Sequence, residues 1–453
     1  MRPCRSIAYA TAAIGSIWLC WHIATPGTQP AVLFNPDPRH ISNRMYRQLH
    51  ERTERDGKQH GFDSLDPLLW SETNYLLTGK SHARALGLLN EFTRTHAERQ
   101  VTGPVRRAIL QRDLWAVFDW ADEPDLQELP HPAERREHLA ALAPVVKRLA
   151  LSPEQLAHLP DTYASALQNH EFPAAYDPAS PNQAYLPPDL YNPRGPWVCL
   201  SAPNQDLAAP LHDLSFIARS VFLVFARLPG GRDATLAYFK QLAELKIPLL
   251  VSSQIPGMAQ PMYFWNPQVP QFPASTEFAL VRKMALPDRE GQLHLTPVTE
   301  SVQIRHYTDI PNVEGMASRD VDLARRFQEP SEIELSRSLL FSEHYSGPRG
   351  VAASDDQFQI FPAMTQGFDV FEDRRVRVRP SSPFFQCTSC HIGPGIQSMM
   401  SFSFRSSPYE GAALSPRLAE TTPTEEAEKV LRWAQTQQKW KDLLVLWASQ
   451  SPD

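Results

Sequence analysis

The chain has 453 residues, 42% of them hydrophobic and 21% charged, with a net charge of −6 and a pI near 6.2. That length leaves ample chain for a buried core and sets a prior of about three domains, while the acidic balance lacks the basic footprint that a general nucleic-acid binder needs. Proline is the outlier, with 42 residues against 19 glycines, so stiff, ordered connections are expected in place of floppy linkers.

Arg2 and Arg5 precede an uncharged run from Ile7 to Ala24 that carries Ile14, Ile17, Trp18 and Leu19. Basic residues before an apolar stretch are the n-region and h-region of an export signal, and this run is also just long enough to stay in a bilayer as an anchor. Residues 1–27 are therefore expected to be a signal peptide or an N-terminal membrane anchor. The body is then extracytoplasmic, either periplasmic or anchored and facing outward. Cys20 follows Trp18-Leu19 and lacks the small residues of a lipoprotein signal, so lipidation is not expected. With Cys4 and Cys20 in the leader, only Cys199, Cys387 and Cys390 remain, too few for a disulfide scaffold.

Residues 28–62 read as a polar, proline-broken spacer with one helix around 42–55, its charges on a solvated face. From 63 to 172 the periodicity is helical. Asp66-Pro67 starts a helix that Gly79 closes. Ser81 opens a second through Ala85, Leu88, Leu89 and Phe92, and a third begins near Pro104 with Leu110, Leu114, Val117 and Phe118. A fourth carries Leu139, Leu142, Val146 and Leu149, and Ser152-Pro153-Glu154-Gln155 is a capping box for a fifth. Trp70, Trp115 and Trp120 are expected in the core of this layer.

Residues 173–380 form a mixed, β-rich region. Turn chemistry dominates 173–212, and His212-Asp213 reads as a structural hydrogen-bonding pair, since no nucleophile elbow or metal-binding helix accompanies it. Ser220–Phe225 has the length of a buried strand, 233–245 reads as an amphipathic helix, and 278–284 and 299–306 read as strands about an Asp288–Gly291 turn. Alternation puts Glu300, Val302, Ile304 and His306 on one face, with Ser301, Gln303 and Arg305 on the other. A further strand is expected over 334–341. Gly230-Gly231 lacks the pattern of a phosphate loop. Arg375, Arg377 and Arg379 share one face of an extended segment. They suit either a propionate or an acidic partner, or a charged edge open to solvent.

Cys387, Cys390 and His391 spell C-x-x-C-H, the attachment signature of a c-type haem. Two thiols three residues apart can bond the two vinyl groups on one porphyrin edge, and the next side chain is then an imidazole placed for the iron. At these five positions and their flanks the chain resembles the c-type cytochromes. The resemblance implies one covalent haem c, held by Cys387 and Cys390 and ligated by His391. No second C-x-x-C-H exists, so a di-haem peroxidase is excluded. A redox or structural dithiol, including a bridge from Cys199 to a motif thiol, is a competing assignment, and zinc is another, although no cysteine follows Cys390 and no histidine follows His391 to complete a zinc site. Small cytochromes c begin a helical domain at the motif and draw a methionine ligand from far downstream. Here 62 residues follow His391, and their only methionines are Met399 and Met400. These are candidate iron ligands, reached by a non-helical path through Gly393-Pro394-Gly395, with His344 or an open sixth site as the other choices.

The tail opens with Thr422-Pro423-Thr424-Glu425, a second capping box, and a helix is expected to about 449 with Trp433, Trp440 and Trp447 on one stripe. The fold class is α+β: a helical N-terminal domain, a β-rich middle, and a haem-binding segment over 381–453 that ends in a long helix. Three functions compete. One is an exported mono-haem c-type cytochrome-like protein in electron transfer, with a redox partner the chain does not identify. The others are a haem enzyme or small-ligand sensor with an open sixth site, and a haem-free structural or interaction protein with a Cys387–Cys390 disulfide. Membrane association would run through the N-terminal apolar segment, and no nucleic-acid partner is expected.

Overall fold

The computed structural model describes residues 34–53, 59–60, 63, 75–123, 130–181, 183–203, 207–245, 247–248, 250–310, 312–315, 327–352, 355, 391, 394–400 and 418–449. The expected leader, the Asp66-Pro67 helix start, the arginines at 375–379, and both motif cysteines lie outside these residues. All the described residues belong to one unit, Val32–Asp453, and the chain is a mixture of helices and antiparallel sheet.

Seven strands make the main sheet: β1 (Val198–Ser201), β2 (Ser220–Arg227), β3 (Glu277–Pro287), β4 (Leu293–Tyr307), β5 (Gln328–Leu335), β6 (Pro348–Gly350) and β7 (Ala419–Glu420). Their spatial order is β6-β5-β4-β3-β2-β1-β7, with every neighbouring pair antiparallel. Successive side chains on a strand point to opposite faces, and the apolar residues obey that rule. Val221, Leu223 and Phe225 of β2 join Ala279 and Val281 of β3, Val302 and Ile304 of β4 and Ile333 of β5 in one cluster. Phe222, Val224 and Ala226 join Phe278 and Tyr307 in another. The second face is covered in part by Tyr238 and Phe239 of a helix over Gly231–Glu244. The continuous apolar run of β2 is thus a strand buried on both sides, as its length and composition suggest.

Helices α1 (Ile41–His50), α2 (Gly79–Arg94), α3 (Gly103–Ala121) and α4 (Pro132–Leu149) form a layer beside the sheet. The helix expected over 42–55 is α1, which ends at His50, and its apolar face of Ile41, Met45, Tyr46 and Leu49 is buried with Leu89 and Phe92 of α2. The same core takes in Met284, Ala285 and Leu286 from the end of β3. The short helix Pro153–Ala157 has the expected capping box, with Ser152 and Gln155 bonding each other's backbone amides.

Two expectations are corrected. The strand expected over 334–341 ends at Leu335, because Ser336 caps a helical turn, Arg337–Leu340, by accepting the amide of Leu339. The terminal helix is two helices, Pro423–Thr436 and Gln438–Ala448, which meet at an extended Gln437. The break lets Ala427 and Val430 pack on the sheet while Trp440, Leu443 and Trp447 turn into the core of the helical layer. Among the described residues, no helix is long and apolar enough to cross a membrane.

Candidate functional site

The second face of the sheet carries a cavity lined mainly by apolar side chains, together with His212, His391, Gln303 and Arg305. Its floor follows from strand register. Val224, Leu280 and Gln303 are directly paired across β2, β3 and β4, and two pairs along, on the same face, Phe278 lies beside Arg305. The walls come from two separate stretches, Ala208–His212 on one side and His391 with Met399 on the other.

The first wall is α5 (Pro210–Ser215), which starts with proline in its first turn after Ala209. Consecutive helix residues point about 100° apart, so His212 lines the cavity while Asp213 turns to β2. There Asp213 accepts the backbone amide of Phe222 at 3.3 Å. Asp213 thus makes a structural hydrogen bond, to the backbone of β2, and docks the helix that carries the histidine. The ring of Phe222 packs 5.1 Å from that of His212.

The second wall is a turn at Pro394-Gly395 followed by α6 (Ile396–Met400). Gly395 has φ +54°, and a Cβ there would run into the side-chain amide of Gln271. Only glycine suits both the conformation and the approach. Gln271 accepts the amide of Ile396 at 2.7 Å and donates to the side chain of Gln397 at 2.9 Å, tying α6 to the loop that leads into β3. His391 is joined to Ser398 twice: its Nδ1 lies 3.0 Å from the Ser398 carbonyl, and its own carbonyl accepts the Ser398 hydroxyl at 3.1 Å. Gln328 also donates to the His391 carbonyl, at 3.2 Å, and the Gln328 side-chain oxygen accepts from Arg305.

The chemistry of His391 follows from the first of these bonds. A carbonyl can only accept, so Nδ1 must carry the proton, and Nε2 is left with the lone pair that a metal requires. Burial, with the Arg305 guanidinium and His212 nearby, holds the His391 imidazole well below the usual histidine range. Burial, then Arg305 and Arg282, pushes His212 down to about 3. Both rings are neutral near pH 7, the state in which imidazole ligates.

Arg305 tests the fit of a haem. It is buried and lines the cavity, yet it forms no ion pair with a carboxylate among the described residues. A buried guanidinium without an anion is costly, and a haem brings two propionates. The donor set also fits: an oriented neutral imidazole, an apolar floor, and one inward cation.

Of the sequence-predicted site residues, His391 and Met399 are brought together at this cavity. The backbone of Met400 closes the same helix. Cys387 and Cys390 lie outside the described residues. Cys199 is buried in β1 and free; its thiol is pushed up to about 12, chiefly by burial. His344 is exposed, beyond the Leu335 end of β5, whereas His391 contacts Gln328 at the other end. Sequence reasoning assigned His212 a structural role only and Arg305 no more than a strand face, and nothing in the sequence singled out Gln328 or Gln271. The signal for Arg305 was its place in an alternating strand opposite Ile304. No family model matches the chain, and no curated protein or solved structure matches it either.

Proposed function

We propose that the protein is an exported mono-haem c-type cytochrome-like carrier, with one haem c bound through Cys387 and Cys390 and ligated by His391. The observation that carries this reading is the bond from His391 Nδ1 to the Ser398 carbonyl, which leaves Nε2 as the donor atom of a half-buried imidazole that lines an apolar cavity. Bound there, the haem would supply one-electron chemistry. The protein's own part is to orient. Ser398 and Gln328 hold the His391 backbone and ring, Arg305 offers a buried cation to an anionic edge, and Val224, Phe278 and Leu280 keep water from the floor.

In this reading residues 1–27 direct export or anchoring, the helices of 63–172 and the β-rich region of 173–380 form the frame, and 381–453 is the haem-binding segment. The test is maturation of the full chain in a host with haem-attachment machinery. Intact-mass analysis is expected to show a haem-sized addition that disappears in Cys387→Ala with Cys390→Ala and persists in Cys199→Ala. A wild type carrying a Cys387–Cys390 disulfide and no added mass overturns the reading.

A further inference from the structure

We propose that His212 is the second axial ligand of the iron, an assignment that rests on the haem reading above and completes it. The ring centroids of His212 and His391 lie 6.4 Å apart with planes inclined at 35°. Two imidazoles on opposite sides of one iron, each with nitrogen about 2 Å from the metal, hold their centroids about 6 Å apart. Direct histidine contact in this same protein is closer. His82 and His138, whose nitrogens approach to 3.3 Å, have centroids 5.1 Å apart. The His212–His391 spacing is too wide for a hydrogen bond between the rings and suits an atom held between them.

The elements that carry the two rings are independent and both are fastened to the sheet. His212 rides on α5, docked to β2 through Asp213 and the Phe222 amide. His391 is fastened to β5 through Gln328 and to α6 through Ser398. The separation of the two imidazoles is therefore set by the frame that carries them, which is the preorganisation that ligation rewards.

Met399 is the rival, and the same geometry disfavours it. The carbonyl that binds His391 Nδ1 belongs to Ser398, the residue before Met399, so α6 lies on the Nδ1 side of the proximal ring. Met399 also lines the cavity, but it follows that carbonyl directly, whereas His212 comes from a separate element, α5. Met400 belongs to the same five-residue helix. Histidine in place of methionine lowers the reduction potential, and two protein ligands leave no position for a small molecule. The assignment thus makes the protein an electron carrier in preference to an enzyme or sensor.

The experiment uses the full chain, matured with haem attached. The wild type is expected to be low-spin by ferric electron paramagnetic resonance, to lack the far-red band of a methionine–iron bond, and to resist carbon monoxide when reduced. His212→Ala is expected to keep the covalent haem by mass, to turn high-spin, to bind carbon monoxide rapidly, and to recover the low-spin signal when imidazole is added. His212→Met, a second variant of near-native bulk, is expected to gain the far-red band. A haem-loaded wild type that binds carbon monoxide at once, or a far-red band lost in Met399→Leu, overturns the assignment while leaving the haem reading intact. So does a haem-loaded His212→Ala whose spectra match those of the wild type. A wild type without covalent haem overturns both.

Discussion

Ser398 and His391 hold each other by two reciprocal bonds, ring to carbonyl at 3.0 Å and hydroxyl to carbonyl at 3.1 Å. The pair can form only because the chain turns tightly at Gly395, whose left-handed φ of +54° starts α6 against Gln271. Gly395→Ala is expected to cost about 1–2 kcal/mol for the backbone conformation alone, with more from displacement of the Gln271 amide. The variant should show a lower urea midpoint and a weaker proximal bond, seen as a changed ferric spectrum at full haem loading. A variant as stable as the wild type with unchanged spectra would show that the turn does not position His391.

Arg305 is expected to tune the potential. A buried cation beside the cofactor favours the form that has gained an electron. Arg305→Gln should therefore lower the midpoint potential, by roughly 60 mV for about 1.4 kcal/mol of lost interaction. A redox titration of the matured variant checks this, and a potential that rises or stays put places the propionates elsewhere.

Glu300 joins the helical layer to the sheet. Its two oxygens take Arg112 of α3 at 2.9 Å and Arg282 of β3 at 2.7 Å, and the carboxylate is fully buried. Removing one partner of a buried charge pair typically costs about 3–5 kcal/mol. Glu300→Gln is expected to lose stability on that scale in urea unfolding. A loss under about 1 kcal/mol would mean the network is replaceable by neutral hydrogen bonds.

How far the sequence shows this architecture depends on the range of the interaction. β2, β3, β4 and the capping boxes at Ser152 and Thr422 were legible because propensity and capping act within a few residues. The stop at Ser336 was missed because 334–341 mixes apolar and polar residues in a way that suits strand and helix equally. The break at Gln437 carries no glycine or proline; it arises from two packing surfaces, the sheet and the helical layer, that one straight helix cannot serve. His391 announced itself through its motif. His212 did not, since it meets His391 only through strand pairing and helix docking across a long stretch of chain, and no local pattern encodes that meeting.

Asp122 supplies a pH dependence that is independent of the candidate site. It caps the C-terminal end of α3, where its backbone amide bonds the Phe118 carbonyl at 2.9 Å, so its carboxylate sits at the negative end of a helix dipole. Its Oδ2 is buried with no hydrogen-bond partner among the described residues. Burial first, then Asp442 and Asp119, raise its pKa to about 7. The unfolded carboxyl titrates near 4, so between about pH 4 and 7 the folded state binds the extra proton. The stabilisation is therefore full below the unfolded value and is lost as pH rises through the folded one. Because the group is partly exposed, the full shift is discounted for solvent screening to about 1–2 kcal/mol. Asp122→Asn keeps the shape and removes the charge. It is expected to add about that much stability at pH 8 relative to its effect at pH 4. Thermal or urea unfolding of both proteins at the two pH values provides the check. A difference between them that does not change with pH would show that Asp122 ionises freely in the folded protein.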